Sequence, residues 1–551
     1  MNQICSKLLY AAVMAVVIAA AWTCLQSMSG SPEPDAWRSQ LGLDSLWLSW
    51  GMAEAASEGS ARLVFRGLYA LLLDLGQPYH SLGWVVLASS VLAFLLLARW
   101  VHLSIGNRLG PLTKALLTLV ICAAMFSPVY GANWLLVERF RVFVPLLCLA
   151  VGGLLLRRGR YFVWRYFAAM IFAQIALLTD VVGLWVWVAL LPCCATIAEG
   201  RRRWACLGIW VVAGNVGALA CEFSFGSSAS SEGSWVIRAL MTKRGSYLSD
   251  VAATLGRSLS NTWPVELDYQ LVVGWAFLVL LLVTSIVAWR RLNASVATWW
   301  AFALFGIGAA LTSSAQVCGI DINMIARREI EWSALVFPVG IVGLLAEFAG
   351  HRFVNYLRLL LASLLVLLVF DWRQGVDDLA WRQAQLREFE ARLLFYELDK
   401  LGPDQVGLSP FSKGLQLRRA QNRRLLRYNE VIEDADGKLQ AAALELSVVA
   451  NGEIRDVGGQ SIAGVVASTA EMVWIAQESE GKEWQWIRSI PLSPSQEQGC
   501  HSWLLDFDRT VMPPEGSALA VFAFDLDTLT FVPLVGRVQV TGQALRMEQG
   551  K

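Results

Sequence analysis

Apolar residues in this chain come in blocks. Up to about Trp372 they form long runs separated by short polar segments, and from Arg373 onward the runs shorten and break up. A helix of roughly 20 apolar residues crosses the ~30 Å hydrocarbon core of a bilayer. Read this way, the first part holds about eleven spans: Leu8–Leu25, then 82–98, 113–129, 142–156, 162–178, 181–198, 204–221, 271–289, 296–316, 332–350 and 355–371. The first run reads as a retained span, because "AAWTCLQS" offers no small-x-small cleavage site.

The pattern then changes twice. "DDLAWRQAQLREFEARLLFYELDKLG" predicts a polar helix with Leu379, Leu386, Phe389, Leu393 and Tyr396 on one stripe, stopped at Gly402-Pro403. From about Leu444 the period becomes two. "LELSVVA", "QSIAGVVAS", "EMVWIAQ", "EWQWIRSIPL", "SWLLDFD", "ALAVFAFD" and "FVPLVGRVQV" are short runs broken by Gly, Pro, Ser and Asn, which predicts a β-sandwich of immunoglobulin type. The expected fold is therefore a polytopic α-helical membrane domain (1–372), a helical extracytoplasmic linker (373–440) and a β-sandwich (441–551). Trp474, Trp484 and Trp486 either fill the sandwich or stack on a sugar.

Composition agrees with a membrane protein. Of 551 residues, 56% are hydrophobic, against about 45–50% in soluble domains. The net charge of +1 argues against a nucleic-acid partner. Of the ten cysteines only Cys500 falls in the C-terminal part, so no disulfide framework is expected there, and no Cys/His set has zinc spacing.

Basic residues orient the spans. With the N-terminus inside, the cytoplasmic segments and adjoining span ends hold Lys7, Arg99, Arg108, Lys114, Arg157, Arg158, Arg160, Arg165, Arg201–Arg203, Arg290, Arg291, Arg352 and Arg358, against Glu199 and Glu347 alone. The outer loops carry 11 basic and 16 acidic residues. An odd number of spans then places the C-terminal domain in the periplasm and the chain in a bacterial cytoplasmic membrane.

Span interiors are nearly free of charge, with Gln174 and Asn215 the main polar residues at depth, expected to hydrogen-bond between helices. Polar chemistry collects at the outer edge. "SPEPDAWR" (31–38) sets Glu33 and Asp35 in a proline-stiffened corner just beyond the first span. "DSLWLSWGMAEAA", "ARLVFRGLYALLLDL" and "SWVIRALMTKRGSYL" are amphipathic and read as interfacial helices. Glu138, Arg139 and Arg141 lie at a second boundary. Asp180 occupies a tight turn, either as a cap or as an offered carboxylate. "CGIDINMIARREIEWS" packs Asp321, Arg327, Arg328, Glu329 and Glu331 between two spans, as a salt-bridged loop or a phosphate clamp. Arginines and carboxylates on one face suit an anionic headgroup held in the membrane by a lipid tail. The arginines would grip phosphate, and a carboxylate would act as base or hold a divalent metal.

This layout resembles the GT-C class of integral-membrane glycosyltransferases: many spans, a long first outer loop with two interfacial helices, and an altered D-x-D motif in that loop, matched here by Glu33-x-Asp35. The oligosaccharyltransferase W-W-D-Y-G motif is not present. The resemblance implies transfer of a sugar from a polyprenyl-phosphate donor to a cell-envelope glycan or lipid acceptor. Asp35, Glu33 and Asp180 would be catalytic. Arg139, Arg141, Arg327, Arg328, Glu138 and Asp321 would bind substrate, with Mg or Mn as the candidate metal. The alternative expectation is a non-enzymatic membrane protein, either a lipid-linked glycan transporter or an envelope assembly partner.

Overall fold

The computed structural model describes residues 2–27, 83–106, 109–127, 140–157, 163–225, 244–257, 267–289, 292–317, 336–348, most of 354–376, and 452–547 with short interruptions. The chain divides into two compact units; the described helices fall in the first and the described strands in the second.

Every apolar run read from the sequence contains helix. In chain order these are α1 (Asn2–Ser27), α2 (Gly83–Ile105), α3 (Pro111–Met125), α4 (Phe140–Arg157) and α5 (Val163–Thr179). A 3-10 turn (Val181–Gly183) leads into α6 (Leu184–Ala189) and α7 (Leu191–Cys194). Then come α8 (Gly200–Phe225), α9 (Arg244–Arg257), α10 (Leu267–Trp289), α11 (Ala294–Val317), α12 (Val336–Phe348) and α13 (Val354–Val366). Among the described residues, Ile4–Trp22, Trp84–Ile105 and Ala294–Ala315 are helices long and apolar enough to cross a membrane; the others are shorter or less apolar. The bundle also turns large apolar side chains outward. Ile4, Ile18 and Trp22 of α1, Trp204 and Val212 of α8, and Leu282 and Ile286 of α10 are all exposed. Such contiguous apolar faces are foreign to a water-facing surface and normal against lipid.

Two elements differ from the sequence reading. Residues 181–198 were expected to form one span, but the helix breaks at Leu190. Pro192 lacks an N–H for the carbonyl of Val188 and disturbs the preceding turn. The break is packed rather than open. The Trp210 indole donates to the Trp187 carbonyl at 2.8 Å, and Val186, Trp187, Leu190 and Cys194 are buried. The amphipathic helix expected over 234–248 is described from Arg244 and runs to Arg257. One face of it is buried. Tyr247, Val251 and Leu255 pack into a core with Ala303, Ala310, Phe337 and Ile341. Gly256 and Gly274 let α9 and α10 meet backbone to backbone. A Cβ at Gly256 would overlap the Gln270 carbonyl oxygen, and one at Gly274 that of Ala252.

Hydrogen bonds between helices sort the helix ends into two sets. At one end the tail of α2 meets the head of α3 (His102 Nε2 to Thr118 Oγ1, 2.7 Å) and the head of α11 (Ser104 Oγ to Thr298 Oγ1, 3.0 Å). Arg157, closing α4, donates to the α2 carbonyls of Trp100 (3.3 Å) and Leu103, a favourable place for a cation at a helix C-terminus. Arg358, near the head of α13, donates to Thr113 Oγ1 at 3.0 Å. Asn293 Nδ2 donates to Glu347 Oε1, near the tail of α12, at 3.4 Å. At the other end Trp185 meets Thr312, near the tail of α11, and Trp372 donates to the Ala123 carbonyl near the tail of α3. These helices therefore alternate in direction: α2, α4 and α12 finish, and α3, α11 and α13 begin, at that first end. The first end, with His102, Lys114, Arg157 and Arg358, is the basic one.

The second unit holds two antiparallel sheets. One has the order β1-β2-β6-β5, from β1 (Gly452–Gly458), β2 (Ser461–Ala467), β5 (Leu492–Pro494) and β6 (Cys500–Asp506). The other runs β10-β9-β7-β3-β4, with β8 also paired to β7; its strands are β3 (Met472–Glu478), β4 (Trp484–Ile490), β7 (Ala518–Asp525), β8 (Thr530–Pro533), β9 (Val538–Thr541) and β10 (Ala544–Met547). Alternate residues of both sheets join one core: Ile462, Val466, Trp503 and Leu505 from the first, and Val473, Ile475, Val521 and Val540 from the second. Strands β3 and β7 are buried on both faces, since Met472, Trp474, Phe522 and Phe524 on the opposite face are also sequestered. Trp474 is thus a buried side chain and not a platform for sugar. "FVPLVGRVQV" forms two strands instead of one. Gly536, at φ 115°, takes a conformation that L side chains rarely adopt, and it lies between them. The run 444–450 lies outside the described residues.

Candidate functional site

Among the candidate carboxylates, Asp180 is the one within the described residues, and the elements around it explain its conformation. Asp180 sits between α5 and the 3-10 turn. Its amide donates to the Ala176 carbonyl at 3.1 Å, continuing α5 by one residue. Its Oδ1 accepts from the Val182 amide at 3.0 Å, and its carbonyl accepts from the Gly183 amide at 2.8 Å. This is an Asx turn that caps the next helical segment, with the side chain half-buried. The turn is tight because Gly183 packs directly on the α5 backbone at Ala176 and Leu177, where a Cβ would overlap.

Beyond Asp180 lies a set of polar contacts that tie α6, α9 and α11. Trp185 Nε1 donates to Thr312 Oγ1 at 2.8 Å, and Thr312 donates in turn to the Gly308 carbonyl at 3.1 Å. Thr254 Oγ1 and Ser314 Oγ are 3.3 Å apart, and the Tyr247 hydroxyl donates to the Leu311 carbonyl at 2.8 Å. The sequence reading missed these residues. Their signal was the hydroxyl run "TSS" at 312–314, near the end of an apolar stretch. Their hydrogen bonds go to one another and to helix carbonyls, so the set holds α9 and α6 against α11 and frames the end of the bundle.

The two polar residues expected to bond between helices behave differently from each other. Gln174 of α5 lies against Gly217 of α8, in the gap left by the missing side chain. Asn215 is exposed and donates at 2.8 Å to the Val211 carbonyl of its own helix. An amide facing lipid closes on its own i−4 carbonyl when no neighbouring helix offers a partner.

The other candidates are placed by the chain alone. Arg141 is the second residue of α4, at the non-basic end. Glu33, Asp35, Glu138, Arg139, Asp321, Arg327 and Arg328 lie outside the described residues. Among the described residues no group of three or more His, Cys, Asp or Glu could hold a metal ion. The carboxylates implied for Mg or Mn are, apart from Asp180, among those outside. In the second unit, His501 stands on β6 opposite Val466 and Pro494, partly exposed, and Cys500 is a free thiol.

In comparison with known proteins, no family model, no curated protein and no solved structure matches this chain.

Proposed function

We propose that the protein is a multi-pass membrane glycosyltransferase that moves a sugar from a polyprenyl-phosphate donor to a cell-envelope glycan or lipid acceptor on the outer face of the cytoplasmic membrane. One observation supports this reading above others: the alternation of the helices. Tyr10 of α1 lies beside His102 at the basic end, so α1 finishes at Ser27 at the opposite end, a few residues before Glu33 and Asp35. By the same alternation α4 begins, α11 finishes and α12 begins at that end, next in sequence to Glu138, Arg139 and Arg141 and to Asp321, Arg327 and Arg328. Each of the nine candidates is near in sequence to a helix end away from the basic cluster. The positive-inside rule makes that end the outer one.

In this reading the arginines hold the donor phosphate through forked N–H donors. Asp35 is the first candidate to take the proton from the acceptor hydroxyl as the sugar is transferred, and Glu33 and Asp180 are the next. A divalent metal, when held by these carboxylates, would neutralise charge on the leaving phosphate. The proposal has eleven spans, which would put the C-terminal domain outside as an immunoglobulin-type β-sandwich on a helical linker. The transporter alternative called for helices broken around an open pathway; the break between α6 and α7 is filled by Trp210 and Trp187 instead. The test is donor affinity. Arg327→Gln together with Arg328→Gln should weaken binding of a polyprenyl-phosphate sugar by at least tenfold; unchanged affinity removes the phosphate assignment.

A further inference from the structure

Among the described residues, the basic end holds cations with no carboxylate partner. Arg99 of α2, Lys114 of α3 and Arg358 of α13 come from three helices and converge around the head of α3, beside His102. His102 Nε2 is 2.7 Å from Thr118 Oγ1, one turn beyond Lys114. Arg99 lies about one turn before His102 on the same helix. Arg358 reaches Thr113 Oγ1 at 3.0 Å and Asn355 Oδ1 at 3.2 Å, both uncharged acceptors. None of the three cations has a carboxylate partner among the described residues. The adjoining connections add Arg108 and Arg352 in sequence and no acid. Of the carboxylates at this end, Glu347 is occupied with Asn293, between α11 and α12.

We infer that this cluster is a binding site for the headgroup of an anionic phospholipid. Uncompensated cations that converge at a helix-bundle edge need an anion from outside. Two features commit the site to lipid rather than to soluble phosphate. Arg99 is exposed while Lys114 and Arg358 are half-buried, so the charges line an open edge of the bundle. Beside them Leu95, Leu103 and Leu359 are 55%, 40% and 66% exposed. A phosphate held by Lys114 and Arg358 would have its acyl chains lie over these leucines, whereas a free anion gains nothing from them. Tyr10, whose ring centroid is 6.1 Å from that of His102, closes the side towards α1.

The experiment follows thermal unfolding of the full chain in neutral detergent micelles. Phosphatidylglycerol, phosphatidylcholine of the same chains, or inorganic phosphate is added. Phosphatidylglycerol should stabilise the wild type saturably while the other two do not. Arg99→Gln with Lys114→Gln should raise the half-saturating phosphatidylglycerol fraction roughly 10- to 30-fold. Arg201→Gln with Arg202→Gln, the same charge change at the head of α8, should leave it unchanged. Lys114→Gln alone, expected to shift it by a smaller factor, serves if the double variant does not fold. Equal stabilisation by phosphatidylcholine, reproduction of the effect by inorganic phosphate, or an equal loss in the α8 control would each overturn the site.

Discussion

Replacing Gly274 with alanine should loosen the seam between α9 and α10. The added methyl meets the Ala252 carbonyl and Cα, which are backbone atoms that no rotamer change can move aside. The helices must separate or tilt. Separation strains the contacts that α9 makes beyond α10, the Tyr247–Leu311 bond at 2.8 Å and the Thr254–Ser314 contact at 3.3 Å. Overpacking costs about 1–3 kcal/mol and interhelical hydrogen bonds about 0.6 kcal/mol each, so the loss should be about 2–4 kcal/mol. Gly208 of α8 is the control: a Cβ there meets nothing, and alanine in an exposed helix interior gains up to ~1 kcal/mol over glycine. Equilibrium unfolding in mixed micelles of increasing denaturing detergent, read by circular dichroism, should move the two variants in opposite directions. A Gly274→Ala protein as stable as Gly208→Ala would refute the close approach of α9 and α10.

Two other variants separate structure from chemistry. Asp180→Asn keeps an acceptor oxygen for the Val182 amide and should leave stability within about 0.5 kcal/mol, while Asp180→Ala should cost about 0.5–2 kcal/mol by loss of the cap; detergent melts check both. If the Asp180 charge serves catalysis, the asparagine variant loses turnover at unchanged stability. In the strand unit, Ile475→Ala removes a fully buried side chain from the core shared by both sheets and should cost about 2–5 kcal/mol, seen as faster protease cleavage of that unit at fixed denaturant.

Hydropathy located the helices closely because run length and membrane thickness constrain each other. The runs 82–98, 204–221 and 271–289 match α2, α8 and α10 with a few residues added at the ends. It failed at 181–198 because a proline inside an apolar run changes backbone direction without changing hydropathy. It failed at β1, "GEIRDVG", because an edge strand with Ile454 as its one fully buried side chain has too little apolar period to register. The Asx turn at Asp180 was legible, since one carboxylate between two closely spaced spans has little else to do locally. The pairs Trp185–Thr312 and Thr254–Ser314 were not. Periodicity says which face of a helix is apolar, but not which helix it will meet 60 or more positions away.

Whether this chain transfers sugar from a lipid carrier is read from consumption of the donor. The purified protein is placed in vesicles with a pool of polyprenyl-phosphate sugars and a membrane-glycan extract, and mass spectrometry follows each donor for the wild type, Asp35→Asn and Glu33→Gln. The wild type should deplete one donor, and a folded Asp35→Asn protein should not. A wild type that depletes none, or an Asp35→Asn protein that matches it, would rule out sugar transfer by Asp35.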